Sequence, residues 1–375
     1  MIVRMKTRRL RKCSLKGTCG LVGTRWPKGS IVYICGANRV KFGPSDKDLG
    51  GSEQAVVQLS RCWAAQGHKV VVFGNLKEDD KDGVEYRAME ELNLADTFDT
   101  AIFWRSFGVR LLPLIKAKTR IVDLHDSWDP KNYVAPAEMI DRADYFMVKS
   151  KYHRSLYPYI PDSKIRIVMN GVQVGLFEKI LAKVSSEADK EERDPHRFIY
   201  ASTYERGLEP ILQYTWPLIK KAIPDATLHI YYGMNRLAKT PLGQRLAKLF
   251  QQPGVHEHGR VDLSEIARQK AISGFHLYVS NSETEIDCIS VRESLLCGAI
   301  PVLGTDYVFS ERDGIHVTGS TKDSSTYKKA ASIVIGSIKR GPAYLEKKRE
   351  EFRTSKTIVS WEDVSKLWPQ SFTKK

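Results

Sequence analysis

The sequence predicts an α/β protein of two doubly wound, Rossmann-like domains that face a central cleft. Three observations predict it. The chain has 375 residues, 42% of them hydrophobic, which is more than one ordinary core uses and about right for two. Short, continuously apolar segments alternate with helical ones, the pattern of parallel strands covered on both faces. That series occurs twice, with a polar, charged stretch over residues 175–196 between the two runs. Two such domains leave a crevice beyond the carboxyl ends of their strands, where ligands of this architecture bind.

The first series opens at IVYICG (31–36), a buried strand by its β-branched run. In EQAVVQLSRCWAAQG, Ala55, Val56, Leu59, Cys62 and Trp63 share one helical face, and Gly67 ends that helix before KVVVF (69–73). Strand, loop, helix, glycine, strand is a βαβ unit. Further apolar strands follow at TAIFW (100–104), RIVDL (120–124), YFMVK (145–149) and IRIVM (165–169). The second series begins at RFIYAS (197–202) and runs through helical LEPILQYTWPLIKKAI to ATLHIYYG (226–233). It continues through SEIARQKAISG to FHLYVS (275–280), a helix around VRESLLCG, and AIPVLG (299–304). On this reading residues 31–190 form the first domain and 196–340 the second. The charged helical tail, 342–375, has Trp361 and Trp368 as anchors and is expected to fold back across the first domain.

A formal net charge of +15 points to an anionic partner. Seven Lys/Arg and no acid lie in MIVRMKTRRLRKCSLKG, residues 1–17, which reads as a flexible basic arm and leaves +8 for the rest of the chain. Such an arm contacts a membrane surface or nucleic acid peripherally, or is a solvated tail. The sequence has no run of eighteen apolar residues and no continuous apolar segment at its N-terminus, so neither a transmembrane span nor a secretory signal is expected. Six scattered cysteines do not make a disulfide framework in a chain of this length. A soluble, cytoplasmic protein is the expectation, with Cys35 and Cys62 as buried thiols.

Four local patterns carry chemistry. In DLGGSE (48–53), Gly50 and Gly51 stand just before a helix whose first N–H groups are unpaired, so backbone can approach an anion closely there. The loop from Cys35 to Gly50 is too long for the tight dinucleotide turn, and no acid follows about twenty residues on. YASTYERGLEP (200–210) sets Arg206 and Gly207 ahead of a second helix, where a guanidinium can clamp a diphosphate. SETEIDCISVRESLLCGAIPVLG (282–304) sets Glu285 in a loop and Glu293 in the first turn of a helix starting near Ser290. Ser290 and Glu293 have the form of a capping box, which would account for Glu293 and leave Glu285 unexplained. Two carboxylates at a strand-end crevice can instead divide the hydroxyls of a ribose and a hexose between them. DLHDSWDP (123–130) supplies His125 at a strand end with Asp126 to orient it or meet an acceptor, and Arg105 ends the previous strand on the same rim. HEH (256–258) has the look of a zinc site, but no further ligand is close in sequence, and no metal is expected.

In order and spacing these patterns resemble the retaining glycosyltransferases of family 4, which have the GT-B fold, over about residues 31–305. The likeness rests on LGGSEQAVVQLSRCWAAQGHKVVVF, on ADYFMVKSKYH and IRIVMNGV, on RGLE, and on the E-x7-E element from Glu285 to Glu293 with Cys297-Gly298 and Pro301-Val302 after it. The resemblance implies that Glu293 binds the ribose of a nucleoside-diphosphate sugar, with Ile289 and Ser290 in the donor set. It implies that Glu285 holds hydroxyls of the transferred sugar, that Gly50 and Gly51 offer backbone N–H to phosphate, and that Arg206 is the basic residue before the second helix. His125 would reach the donor sugar near the reacting carbon. The implied reaction is a metal-independent, retaining transfer of a glucose- or mannose-type hexose to a hydroxyl of a glycan or lipid-linked acceptor, with no cofactor besides the donor. GDP-mannose is placed ahead of UDP-glucose without a residue that decides between them. Many members carry a further arginine where this chain has Ser202-Thr203, and Arg260 of HEHGRV or Arg105 is the candidate to complete the phosphate clamp. The alternatives are a nucleotide-sugar-binding relative without transfer activity and a basic nucleic-acid-binding protein. The second lacks the aromatic-basic interleaving of strand-binding sheets.

Overall fold

A computed structural model describes residues 22–372 apart from 37, 39–40, 48, 78–79, 128–135, 187–190 and 235–236. The basic arm of residues 1–17 lies outside the described residues. Seven strands form the first sheet: β1 (Ile31–Gly36), β2 (Val70–Gly74), β3 (Val84–Ala88), β4 (Thr97–Trp104), β5 (Lys116–Asp123), β6 (Tyr145–Val148) and β7 (Ile165–Ile167). All pair parallel, in the order β3-β2-β1-β4-β5-β6-β7. Six more, β8 (Asp194–Ala201), β9 (Thr227–Tyr231), β10 (Val255–Glu257), β11 (Ser273–Tyr278), β12 (Ile300–Gly304) and β13 (Ile315–Val317), form a second parallel sheet in the order β10-β9-β8-β11-β12-β13. In each sheet the strand order reverses beside the opening strand, β1 or β8. Such a switch point opens a crevice at the carboxyl strand ends.

The central strands are apolar throughout because both faces are covered; all six residues of β1 and all five of β12 are buried. The short β3, β10 and β13 went unread in the sequence, since three to five residues carry too little periodicity. The covering helices of the first half are α1 (Gly51–Ala65), α2 (Arg105–Val109), α3 (Pro136–Arg142) and α4 (Lys151–Ser155). Next come α5 (Val174–Val184), α6 (Leu208–Pro210), α7 (Trp216–Ala222), α8 (Pro241–Leu249), α9 (Leu263–Ile272), α10 (Ile289–Cys297), α11 (Ser324–Lys339), α12 (Pro342–Arg353) and α13 (Trp361–Phe372). Residues Ile211–Thr215 join α6 to α7 as a π-helical turn. Pro217, which cannot donate to the helical ladder, lies two residues beyond it and accounts for the widened turn.

The polar stretch 175–196 is not simply a boundary. It contains α5, whose Phe177 is buried against Ala267 and Cys297 of the second half. Phe177, Ile180, Leu181 and Val184 recur at helical spacing within charged company, so composition concealed the apolar face.

The chain returns to the first half at its end. Leu345 and Phe352 of α12 still belong to the second core, whereas Trp361, Val364 and Trp368 of α13 join the core around β1 and α1. The Trp63 and Trp368 rings lie 5.3 Å apart, and the Trp63 indole donates to the Ser365 carbonyl at 3.1 Å. Outgoing and returning crossovers touch: Val172 N–H donates to the Val359 carbonyl at 2.8 Å, and a Cβ on Gly171 would meet Trp361 at 2.6 Å. The halves also meet at α4, where Glu311 accepts the backbone N–H groups of Lys151 and Tyr152 at 2.9 and 2.6 Å.

Candidate functional site

The loops after β1, β4, β5, β8, β9 and β11 open onto one cleft of about 500 Å³ between the two domains. Gly50, Gly51, Arg105, His125, Asp126, Arg206, Arg260, Glu285, Ile289, Ser290 and Glu293 all line it. Residues up to 243 positions apart in sequence are thus gathered on one surface.

Gly50 and Gly51 start α1 without any side-chain cap, which leaves the first N–H groups of a 15-residue helix to the cleft. A Cβ on Gly51 would stand 3.3 Å from Cδ1 of Ile289, the first residue of α10. Two helix N-termini, one from each domain, therefore converge on the same space and present their N–H groups to it. Lys47, which the sequence reading missed, adds a cation at the rim that has no ion pair among the described residues.

Gly207 enters α6 at φ +95°, and a Cβ there would lie 2.7 Å from the Val279 carbonyl oxygen, so only glycine fits. This turn aims Arg206 at the loop before α10. Its Nη1 donates to Glu285 Oε2 at 2.5 Å, and Tyr278 OH donates to the same oxygen at 3.2 Å. Glu285 Oε1 accepts the N–H of Cys288 at 3.1 Å. Three of the roughly four acceptor positions of the carboxylate are thereby used, leaving about one for a ligand. Glu285 pushes the Arg206 guanidinium further up from its ordinary value, against the opposing effect of burial.

The capping box is not formed. Residue 288 precedes α10 at φ +60° and no side chain caps the helix. Glu293 Oε2 instead accepts from Lys270 Nζ at 2.6 Å, a lysine of α9 that no local sequence signal could link to it. Ser290 Oγ donates to the Ala201 carbonyl at 2.7 Å and accepts from Lys270 at 3.0 Å, so it ties α10 to β8.

His125 reaches the cleft wall mainly through its backbone: the imidazole is 2% exposed against 9% for the whole residue. The orienting carboxylate is Asp123, not Asp126. His125 Nε2 lies 2.8 Å from Asp123 Oδ2, Lys149 Nζ lies 2.5 Å from Oδ1, and Tyr33 OH also donates to Asp123. Burial on its own pushes the Asp123 carboxyl up, but the neighbouring His125 and Lys149 outweigh it and hold it below the usual carboxylate range. Burial pushes the His125 imidazole down, which favours the neutral ring. Alternation along a strand end puts residues 123 and 125 on one face, so this pairing was readable from DLHD.

Asp126 pairs bidentately with Arg105, at 2.7 Å to Nε and 2.6 Å to Nη2. Arg105 is thus engaged on the first-domain wall through two of its five N–H donors. Arg260 stacks 4.7 Å over the Tyr232 ring. Arg105 (φ +51°), Tyr232 (φ +134°) and Cys288 (φ +60°) are three of the five non-glycine residues at positive φ among the described residues, and all three line the cleft. Backbone strain of this kind persists where the surroundings enforce it and concentrates at ligand sites.

His256 and His258 of HEH stack with His229 at ring separations of 4.9 and 5.1 Å, and His229 Nδ1 lies 2.8 Å from His258 Nε2. Among the described residues no group of three or more His, Cys, Asp and Glu is arranged to hold a metal ion. No described helix is long and apolar enough to cross a membrane.

The fold has counterparts among solved structures. The chain is similar to sucrose-phosphate synthase from Thermosynechococcus elongatus, with TM-score 0.64 and 14% identity over 91% of this chain and 98% of that one. It is similar to Anabaena HepE in complex with UDP and glucose, with TM-score 0.64 and 12% identity over 92% and 99%. The catalytic domain of starch synthase IV from Arabidopsis thaliana, bound to ADP and acarbose, gives 0.64 and 11% over 92% and 99%. No family model matches the chain, and no curated protein matches it in sequence. At these identities the likeness is one of fold. Two parallel-sheet, Rossmann-like domains flanking a cleft are the GT-B arrangement, and that is the class to which the architecture belongs.

Proposed function

We propose that the protein is a glycosyltransferase that takes a hexosyl group from a nucleoside-diphosphate sugar bound in this cleft and passes it to an acceptor hydroxyl. One observation carries the reading. Two uncapped helix N-termini converge on a space lined by Arg206, by its ion-pair partner Glu285 and by the carboxylate of Glu293. A nucleotide sugar offers the complementary groups, an anionic diphosphate for the N–H groups and the guanidinium and two polyols for the carboxylates. The neighbours that hold UDP and glucose, or ADP and acarbose, in the same fold support this choice of ligand.

In this account the Gly50 and Gly51 backbone and the start of α10 at Ile289 receive the diphosphate, with Arg206, Lys47 and Arg260 balancing its charge. Donors aimed at the phosphate oxygen stabilise the negative charge that grows there as the bond to the anomeric carbon breaks. Glu293 accepts ribose hydroxyls and Glu285 a hydroxyl of the transferred sugar. His125, held neutral beside Asp123, shapes the wall near the reacting carbon. The acceptor hydroxyl bonds to the anomeric carbon as the phosphate leaves with the bonding pair, and its proton passes to a phosphate oxygen. That front-face course retains configuration and needs neither a protein nucleophile nor a metal ion. The resemblance to family 4 supports retention, a glucose- or mannose-type sugar, and a glycan or lipid-linked acceptor. GDP-mannose stays ahead of UDP-glucose without a residue that decides between them. Turnover of nucleotide sugars, read as released nucleoside diphosphate with and without a panel of acceptors, tests the reading; no release from any donor counts against it.

A further inference from the structure

Lys270 is wholly buried on α9, yet all three of its ammonium protons are used: on Ser290 O at 2.8 Å, Ser290 Oγ at 3.0 Å and Glu293 Oε2 at 2.6 Å. Burying an ion pair seldom adds stability over apolar residues of similar volume. A lysine here therefore calls for a reason beyond holding α9 to α10. Glu293 supplies one, because its Oε1 has no hydrogen-bond partner among the described residues and the side chain, 8% exposed, borders the cleft.

We infer that Lys270 is a positioning residue for donor recognition, fixing Glu293 as a carboxylate in one orientation so that a single oxygen, Oε1, meets the ligand. The inference rests on the donor site proposed above and names how that site reads the ribose. One carboxylate oxygen has two lone pairs and can accept both hydroxyls of a vicinal diol. The orientation is fixed from behind: Ser290 Oγ is bound to the Ala201 carbonyl at 2.7 Å, and Ser294 Oγ to Ser290 O at 3.0 Å and His276 Nδ1 at 2.9 Å. The other titratable or charged groups near the pair are Arg292 and Cys297 of α10, His276 of β11 and Arg193 ahead of β8. Burial drives His276 well down, which keeps it uncharged. Lys270 is then the cation in hydrogen-bond contact with the Glu293 carboxylate.

The test uses the full chain as wild type, Lys270→Met, Glu293→Gln and the double variant. Binding of UDP-glucose and GDP-mannose is followed by calorimetry from about pH 5.5 to about pH 8.5, a window in which a diesterified diphosphate does not titrate. Without its cation the buried carboxyl of Lys270→Met favours the neutral form. Its donor affinity should fall about tenfold below wild type at the acid end and recover as pH rises, while the double variant binds weakly and evenly across the window. Wild-type affinity in Lys270→Met at every pH, or a loss that does not vary with pH, overturns the inference. Should Lys270→Met fail to fold, Lys270→Gln, which keeps a donor to Ser290 without the charge, is read by the same criteria. Failure of the wild type to bind either nucleotide sugar overturns the donor reading itself, whereas wild-type binding beside a flat variant profile overturns this inference alone.

Discussion

Arg206 and Glu285 form a 2.5 Å ion pair that ties the loop after β8 to the loop before α10. A group suited to phosphate and a group suited to a sugar hydroxyl are thus set relative to each other before any ligand arrives. Arg206→Ala should weaken a nucleoside diphosphate by about 1.5–3 kcal/mol, the range for a charged hydrogen bond, and the bare nucleoside much less. Calorimetry with both ligands checks this; equal losses would remove Arg206 from the phosphate site.

Gly50 and Gly51 should respond differently to a side chain. A Cβ at Gly50 meets only Glu53 Oε2, at 2.4 Å, the mobile end of a side chain, and the backbone there (φ −67°, ψ 163°) suits any residue. Gly50→Ala should bind donor within about threefold of wild type. At Gly51 a branched side chain would push Ile289 away and cover the helix N–H groups, so Gly51→Val should lose donor affinity by about tenfold or more with little change in melting temperature. Parallel titrations and melts of the two variants decide the point.

The buried Asp123–Lys149 pair makes a stability prediction. Lys149→Met removes the lysine cation from a buried carboxylate still bonded to His125 and Tyr33 and should cost about 3–5 kcal/mol in chemical denaturation at neutral pH. The folded Asp123 carboxyl lies below the usual range, so its contribution is present above about pH 4 and disappears as pH falls through the folded value. The gap between variant and wild type should therefore narrow below about pH 4. A gap that stays constant in acid would contradict a charged pair.

His153 makes the opposite case. Its Nδ1 accepts the Lys149 N–H at 3.0 Å and its Nε2 donates to the Asp126 carbonyl at 3.1 Å, an arrangement for a neutral ring. Burial pushes it down to about 3. The unfolded chain takes up this proton below about pH 6.5 and the folded chain does not, so stability is lost as pH falls from there toward the folded value. His153→Gln should remove about 1.4 kcal/mol per pH unit from that slope. Denaturation at several pH values between those limits measures it.

The main strands were legible because IVYICG, RFIYAS and AIPVLG are unbroken apolar runs between glycine and helix signals, and a parallel sheet buries both faces. The gathering of Gly51, Arg206, Glu285 and Glu293 into one cleft was legible too, since each follows a strand at its carboxyl end. Partners were harder to read. Lys270 sits 23 residues before Glu293 on a different helix and looks from sequence like one more solvated lysine. Ser290 and Glu293 matched a capping box by spacing, but the helix starts behind Cys288 at φ +60°, and both side chains bond Lys270 of α9 instead. His125 does line the cleft, but the inward turn of its ring, bonded to Asp123 beside Lys149 and Tyr33, could not be read from sequence because only the sheet brings those residues together. The α5 face was lost for a simpler reason, because charge counting conceals a four-residue apolar stripe.

The most direct test of the donor cleft is calorimetry of UDP, GDP, UDP-glucose and GDP-mannose against wild type and Glu293→Gln. The account predicts selective binding by the wild type, weakened by about 1.5–3 kcal/mol in the variant, whose side chain keeps its shape and loses its charge. Equal affinity in the two proteins, with only thermal stability lost in Glu293→Gln, would contradict it and leave Glu293 as a structural partner of Lys270.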